Sequence, residues 1–230
     1  MPTTNDNHPQ TVMGRVLLLL EPFRESAGLT LTELAARTGL PRSSAHRMLL
    51  QLVGVGWLRR HGATYHLGPK MVELGSLAQN YDRVHRAAVA AMYQLHRRTG
   101  SAVHLAVLEG DELLYLEKIG GRWAAAVLPT HAGQRRSARE TTDGAALLAC
   151  RDGGAPAVRE HVAGQDRGEP VHCVAVAFNA GHGEIAALSL TGPAGRMPES
   201  AVRDLVAAAG LVAARLGAPS GLLAAGGPSA

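Results

Sequence analysis

The residues best suited to chemistry lie in a basic stretch in the first third of the chain. Between positions 37 and 70 the sequence has six Lys or Arg residues and three histidines, but no Asp or Glu. Arginine, histidine and small hydroxyl side chains in an acid-free segment are suited to binding phosphate and the edges of nucleic-acid bases. The alternative is a solvated surface face, and charge alone does not separate the two.

The stretch LTELAARTGLPRSSAHRMLL (31–50) predicts two helices joined by a tight corner. Thr30 and Glu33 form the capping-box pattern that begins the first helix, and Gly39 ends it. Pro41 suits the first turn of the next helix, where its missing N–H is not needed. Apolar residues at helical spacing then form the inner face of that helix: Ala45, Met48, Leu49 and Leu52.

The outer face of the second helix and the hairpin after it carry the candidate nucleic-acid contacts. WLRR and YHLG, on either side of HGAT, predict two short strands that form a wing. A structural helix pair with solvated Arg and Ser is the alternative, but charge, spacing and hairpin together favour a DNA reader, in which Arg47 contacts guanine. The candidate DNA contacts are Arg42, Ser43, Ser44, His46, Arg47, Gln51, Arg59, Arg60 and His61.

Periodicity elsewhere predicts an α+β chain. A helix over 12–26 is expected to be bent or interrupted by Pro22. Helices over 82–99, 142–150 and 198–216 alternate with a hairpin around Gly110-Asp111, a third strand at WAAAVL, and the strands VHCVAVAFN and EIAALSLTG. The segment 151–170, rich in Gly, Pro and charge, predicts a loop. This order is typical of an antiparallel sheet flanked by helices.

The predicted organisation has two folded domains. We expect a disordered tail over 1–11, a winged helix-turn-helix domain over 12–68, a linker helix over 69–80, a second domain over 81–217 and a flexible tail over 218–230.

Composition narrows the class of protein. Hydrophobic residues make up 46% of the chain and the formal net charge is +4. The two cysteines have no paired spacing, and neither a signal peptide nor a membrane-spanning run is visible. These features predict a soluble, cytoplasmic protein with no membrane partner.

Several motifs together resemble one family. LTELAARTGLPRSSAHRMLLQL is followed by GWLRR and YHLGPKMVELG, then by HRRTGSAVHLAVLEGDELLYLEKI, GAALLA and VHCVAVAFNAGHGEIAALSLTGP. In this order they resemble the isocitrate-lyase-regulator (IclR) family of bacterial transcription factors over most of residues 12–216. The resemblance implies a winged helix-turn-helix, a linker helix and a GAF-like effector domain. It also implies a nucleoid-associated repressor or activator that binds a palindromic operator on double-stranded DNA as a homodimer or tetramer, under control of a small organic acid or aromatic effector.

The chain departs from this family around the implied effector pocket. About 20 residues, Arg151 to Pro170, stand where the family has several dozen, and the family's His-Ala-Thr-x-x-Gly-Lys turn reads RETTDGA (139–145). The resemblance implies effector contacts at Thr142, Asp143, Cys173, Ser189 and Thr191. Helix capping is the alternative for the first two, and a small buried core residue is the alternative for Cys173.

Other classes of function remain as alternatives. The shortened wall leaves open an orphan regulator controlled by expression level or by a protein partner. A DNA-packaging protein is disfavoured, because such a protein needs no sensor-sized second domain. His172 and Cys173 are neighbours on a strand and point to opposite faces, so they do not predict a catalytic pair. We expect no enzyme activity, no catalytic or metal site and no cofactor, and we expect His104 to be a core histidine.

Overall fold

The computed structural model of the protein describes residues 11–153, 158–165 and 168–217, and the chain divides into two units, 1–78 and 79–230. Among the described helices, none combines the length and the apolar character needed to cross a membrane.

In the first unit, residues 11–68 form three α-helices and a small antiparallel sheet. The helices are α1 (Val12–Leu20), α2 (Leu31–Thr38) and α3 (Arg42–Gly54). The strands are β1 (Leu29–Thr30), β2 (Leu58–His61) and β3 (Thr64–Leu67), in the order β1-β3-β2.

Local sequence accounts for where these helices begin and end. Thr30 and Glu33 form both hydrogen bonds of a capping box at the start of α2, and Gly39 adopts a left-handed φ of 70° after its end. Pro22 interrupts the first predicted helix as expected: α1 ends at Leu20, and a 3-10 turn covers Glu21–Arg24. A proline at this position removes one helical hydrogen bond and clashes with the carbonyl four residues earlier.

The core of the first unit joins all three helices to the sheet. Its buried side chains are mostly aliphatic, so apolar packing stabilises the corner between α2 and α3. They are Leu19, Phe23, Leu29, Leu34, Ala45, Leu49, Leu52, Leu58 and Tyr65.

A six-stranded antiparallel sheet is the centre of the second unit. Helix α4 (Pro69–Tyr81) spans the division between the units, and α5 (Arg83–Thr99) follows it. The strands, in sheet order, are β6 (Arg135–Ser137), β5 (Glu112–Ile119), β4 (Ala102–Glu109), β9 (Glu184–Pro193), β8 (Gly168–Gly181) and β7 (Val158–Gln165). The remaining helices are α6 (Arg122–Val127), α7 (Thr142–Arg151) and α8 (Ala201–Arg215).

Helices cover both faces of this sheet. Val84, Met92 and Leu205, from α5 and α8, belong to the cluster on one face. On the other face, Ala146 and Leu147 of α7 pack against alanines of β4, β8 and β9. The predicted α+β class, with an antiparallel sheet flanked by helices after a helix-turn-helix, is therefore confirmed.

Two predictions about secondary structure are wrong. WAAAVL does not form a strand, because its residues 123–127 lie in α6, where three consecutive alanines favour helix over strand. The segment 151–170 is not only a loop, because it contains β7 and the start of β8, which pair in antiparallel register. The charged composition of β7 suits a strand at the sheet edge. The predicted terminal tails lie outside the described residues, apart from Thr11, the N-cap of α1.

Candidate functional site

Helix α3 separates its residues cleanly by face. Ala45, Leu49 and Leu52 are buried against the core. Ser43 and Arg47 lie on the opposite side and are exposed, between half-buried His46 and exposed Gln51. The other two predicted contact residues of the helix are in its first turn, where Arg42 is exposed and Ser44 is half-buried. The helix therefore presents a row of hydrogen-bonding side chains to solvent.

The start of α3 is open to an anion. Its N-cap is Pro41, which makes no side-chain hydrogen bond to the helix, and its first turn contains no acidic residue. The first N–H groups of a helix have no partner within the helix and carry partial positive charge. Arg42 Nη1 donates to Thr32 Oγ1 at 3.1 Å, which holds this guanidinium near the start of α2. This end of α3 has the chemistry of a phosphate site.

Strands β2 and β3 form the predicted wing, joined by Gly62 and Ala63. Arg59 and His61 are exposed on β2. Arg60 is also exposed, but its Nε donates to the Gly62 carbonyl at 2.7 Å and its guanidinium lies 5.5 Å from the centre of the Tyr65 ring. Arg60 therefore stabilises the wing itself, whereas Arg59 extends from it.

A cavity of about 570 Å³ lies in the second unit on the side of the sheet that faces α7. Four of the five predicted effector residues are in its wall: Thr142, Asp143, Cys173 and Thr191. Ser189 is fully buried and is not among the described residues of the wall.

Three polar side chains form the buried end of the cavity. Tyr115 donates its hydroxyl to Asp143 Oδ2 at 3.1 Å, and its ring lies 5.3 Å from the His104 ring. His104 Nε2 is 2.8 Å from Thr130 Oγ1. Burial lowers the pKa of His104 below its ordinary value, despite the opposing effect of Asp143, and burial also raises the pKa of Tyr115. His104 and Tyr115 are thus neutral at physiological pH.

Helix capping does not explain Asp143. The N-cap of α7 is Thr141, whose Oγ1 accepts from the Gly144 N–H at 2.9 Å. A side chain at Gly144 would collide with the Ala138 backbone, so the turn before α7 is packed closely. This packing fixes Asp143 with its carboxylate in the cavity wall.

Lys118 holds in place the segment 124–130, which contributes Thr130 to the buried end of the cavity. Its Nζ donates to the carbonyls of Ala124, Leu128 and Thr130, at 3.3, 2.9 and 2.7 Å. This places the Thr130 hydroxyl against His104.

The wall also contains arginines and two further acids. Arg136 is half-buried, and Arg139 and Arg159 are exposed. Glu140 and Glu160 are also exposed. The arginines give the exposed part of the wall groups that bind a carboxylate.

His172 and Cys173 are not a catalytic pair. Cys173 Sγ accepts from Thr191 Oγ1 at 3.4 Å, and burial raises the pKa of the thiol to about 12. His172 Nε2 instead contacts the Glu160 carboxylate. The thiol stays protonated at neutral pH, which makes it a poor nucleophile. Among the described residues, no group of three or more His, Cys, Asp or Glu is arranged to hold a metal ion.

Comparison with known proteins places both units in one family. The IclR helix-turn-helix domain matches residues 13–62, and the C-terminal domain of the bacterial transcriptional regulator IclR matches residues 77–155. The chain belongs to the IclR family. Similar IclR-type proteins include the transcriptional regulator KipR of Bacillus subtilis, 36% identical over 116 residues (50% of this chain, 46% of KipR), and XynR of Escherichia coli, 35% identical over 138 residues (59% and 54%). The chain thus spans about half the length of these relatives.

Solved IclR structures share the fold. An IclR homologue from Microbacterium hydrocarbonoxydans, crystallised with 4-hydroxybenzoate, is 25% identical with a TM-score of 0.73, covering 88% of this chain and 97% of that one. An IclR-family regulator from Brucella abortus is 19% identical with a TM-score of 0.72, covering 93% and 96%.

Several wall residues of this IclR-family chain were missed from sequence. His104 and Tyr115 alternate with apolar residues in strands, so their pattern indicates only core positions. Arg159 and Glu160 lie in β7, which was predicted as loop. The one usable signal was the turn before α7, 139–145, whose first two residues depart from the family pattern and lie in the wall.

Proposed function

We propose that this protein is a sequence-specific transcriptional regulator that binds a palindromic operator as a homodimer or tetramer. The observation that carries the proposal is the solvent face of α3, which presents Arg42, Ser43, Arg47 and Gln51 in an acid-free stretch. Such a helix reads base edges in the major groove, while its start and the wing bind the phosphate backbone.

In this proposal α3 and the wing have different roles. Arg47 is the base-reading side chain, because arginine makes two parallel hydrogen bonds with guanine. Ser43, Ser44 and the first N–H groups of α3 bind phosphate. Arg59 and His61 contact the backbone or minor groove beside the site.

We also propose that a small organic molecule in the cavity of the second unit modulates DNA binding. Support comes from the size of the cavity, which suits a small ligand, and from polar groups that converge on its buried end. The Microbacterium homologue, crystallised with an aromatic acid, supports the same class of ligand. These observations favour an effector-controlled regulator over the orphan alternative.

Footprinting on genomic DNA from the source bacterium tests the DNA-binding proposal. We expect one protected palindrome upstream of a gene, with the halves separated by about one helical turn or a multiple of it. Uniform coverage of DNA would contradict a regulator and favour a packaging protein.

A further inference from the structure

The buried end of the cavity contains two polar atoms without partners. Within the described part of the chain, Asp143 Oδ1 and His104 Nδ1 make no hydrogen bond, although the residues are only 4% and 3% exposed. Buried polar atoms are nearly always hydrogen-bonded, and an exception needs an explanation. Both residues line the cavity, so a ligand bound there lies beside them.

The missing partner of Asp143 is a donor. An ionised carboxylate only accepts hydrogen bonds, and its Oδ2 already accepts from the Tyr115 hydroxyl. Tyr115 is neutral, so this bond does not balance the charge of the carboxylate. A ligand group with an N–H or O–H bond satisfies Oδ1, and a cationic group also balances the charge.

His104 is compatible with the same donor group. Burial keeps the ring neutral, so one of its two nitrogens is an acceptor. When Nε2 donates to Thr130 Oγ1, Nδ1 accepts. Asp143 and His104 both contact Tyr115, which brings the two unpartnered atoms to the same end of the cavity.

The exposed part of the wall prefers an anionic group, whereas the buried end prefers a donor or a cation. Arg139 and Arg159 supply guanidinium groups there, against the carboxylates of Glu140 and Glu160. The Glu160 carboxylate already contacts His172. We call this exposed part of the wall the mouth of the cavity. A ligand carboxylate is attracted by the arginines at the mouth and would be repelled by Asp143 at the buried end.

We propose that Asp143 makes this cavity select, among small carboxylic acids, those with an ammonium group at the end opposite the carboxylate, and in second place those with a hydroxyl group there. The donor binds Asp143 Oδ1 and the carboxylate binds the arginines at the mouth. The inference rests on the proposed function, in which this cavity is the effector site. An ammonium group binds more tightly than a hydroxyl group, because both partners are then charged.

Matched sets of acids test this ligand class by calorimetric titration of the full chain. One set is benzoate, para-hydroxybenzoate and para-(aminomethyl)benzoate, and another is butyrate, gamma-hydroxybutyrate and gamma-aminobutyrate. We expect the donor-bearing members of the set that fits to bind at least about tenfold more tightly than the unsubstituted acid, because hydrogen bonds to charged groups have that strength.

Asp143→Asn is the informative variant. It retains the size of the side chain but removes its charge, so the preference for the ammonium-bearing acid should fall at least about tenfold. Asp111→Asn is the matched control, because Asp111 is exposed and pairs with Arg151 away from the cavity wall. This control should retain the full preference.

Equal binding of donor-bearing and unsubstituted acids, or no binding by any of them, would overturn the inference. So would an unchanged ammonium preference in a folded Asp143→Asn variant. If the Asp143→Asn variant does not fold, the comparison of acids on the unaltered protein still tests the inference. Operator affinity is measured separately, without acid. A failure of the DNA-binding proposal can therefore be distinguished from a failure of the proposed ligand class.

Discussion

At the scale of single residues, Arg47 is the side chain to which we assign base reading. It is exposed near the middle of α3, two turns before the helix ends at Gly54. We expect Arg47→Ala to weaken operator binding by about 1–3 kcal/mol and to relax discrimination at one base pair. Mobility-shift titrations with operator and with scrambled DNA measure both effects.

Arg24→Ala is the charge-matched control for Arg47. Arg24 lies outside α3, in the 3-10 turn after α1, and pairs with Glu21 at 2.6 Å. Its loss should lower the affinity for both DNAs slightly and equally. Equal effects of the two substitutions would contradict a base-reading role for Arg47.

His104 makes the stability of the second unit depend on pH. Its pKa in the folded state lies below the ordinary value of 6.5 because of burial; Lys118 acts in the same direction and Asp143 opposes it. As the pH falls below about 6.5, His104 binds a proton in the unfolded chain but not in the folded chain, so the free energy of unfolding decreases. His104→Gln should weaken this loss between about pH 7.5 and pH 5, measured by thermal or urea unfolding.

His131→Gln is the matched control, because His131 is exposed. It should leave the pH dependence of the wild type unchanged. If His104→Gln also leaves that dependence unchanged, His104 is not held neutral in the folded state.

Which side chains meet at the cavity was only partly predictable from sequence. Thr142, Asp143, Cys173 and Thr191 were predicted through resemblance to the family. The role of Tyr115 depends on the distance between β5 and the turn before α7, which no local pattern encodes. His104 was expected to be a satisfied core histidine, and only the structure shows its unpartnered nitrogen in the cavity wall.

At the scale of elements, the wing contains two arginines with different surroundings. Arg59 is exposed on β2, whereas Arg60 is held by the Gly62 carbonyl and the Tyr65 ring. We expect Arg59→Ala to weaken DNA binding almost equally for all DNA sequences. It should also reduce the slope of log affinity against log salt concentration by about one, the equivalent of one released counterion. Anisotropy titrations across a salt series measure this slope.

Arg60→Ala is the neighbouring comparison. It should lower the stability of the first unit by about 1 kcal/mol, through loss of the cation–π contact and one hydrogen bond. Thermal unfolding of the two variants separates these roles. An unchanged salt slope for Arg59→Ala would place β2 away from the DNA backbone.

Elements with strong local signals were predictable, and those that depend on distant pairing were not. Thr30, Glu33 and Gly39 set the ends of α2 from a few neighbouring residues, so the corner before α3 could be read from sequence. Strand β7 exists because its backbone pairs with β8 from Val158 onwards, and its own residues alternate too weakly to reveal it. The helix at 122–127 is a different case, because its three consecutive alanines are a local signal for helix although the apolar run also suits a strand.

At the scale of the whole molecule, a palindromic operator requires two reading helices related by symmetry. One chain supplies a single α3, so we expect the protein to associate. Helix α1 exposes three apolar side chains, Val12, Met13 and Leu17, at 73%, 62% and 47% of their surface. An exposed apolar patch on one helix is a candidate interaction surface.

The Leu17→Glu variant tests whether α1 contributes to this association. Placing a charge in an apolar interface should shift the particle mass towards the monomer and weaken operator binding, because each monomer then binds only one half-site. Leu211→Glu is the control, since Leu211 is 46% exposed on α8 in the other unit; it should retain at least the dimer and its operator affinity. Analytical ultracentrifugation with and without operator DNA measures both variants. A Leu17→Glu protein that remains dimeric and binds the full palindrome would exclude α1 from the interface, and the pairing of half-sites would then require a different surface of the protein.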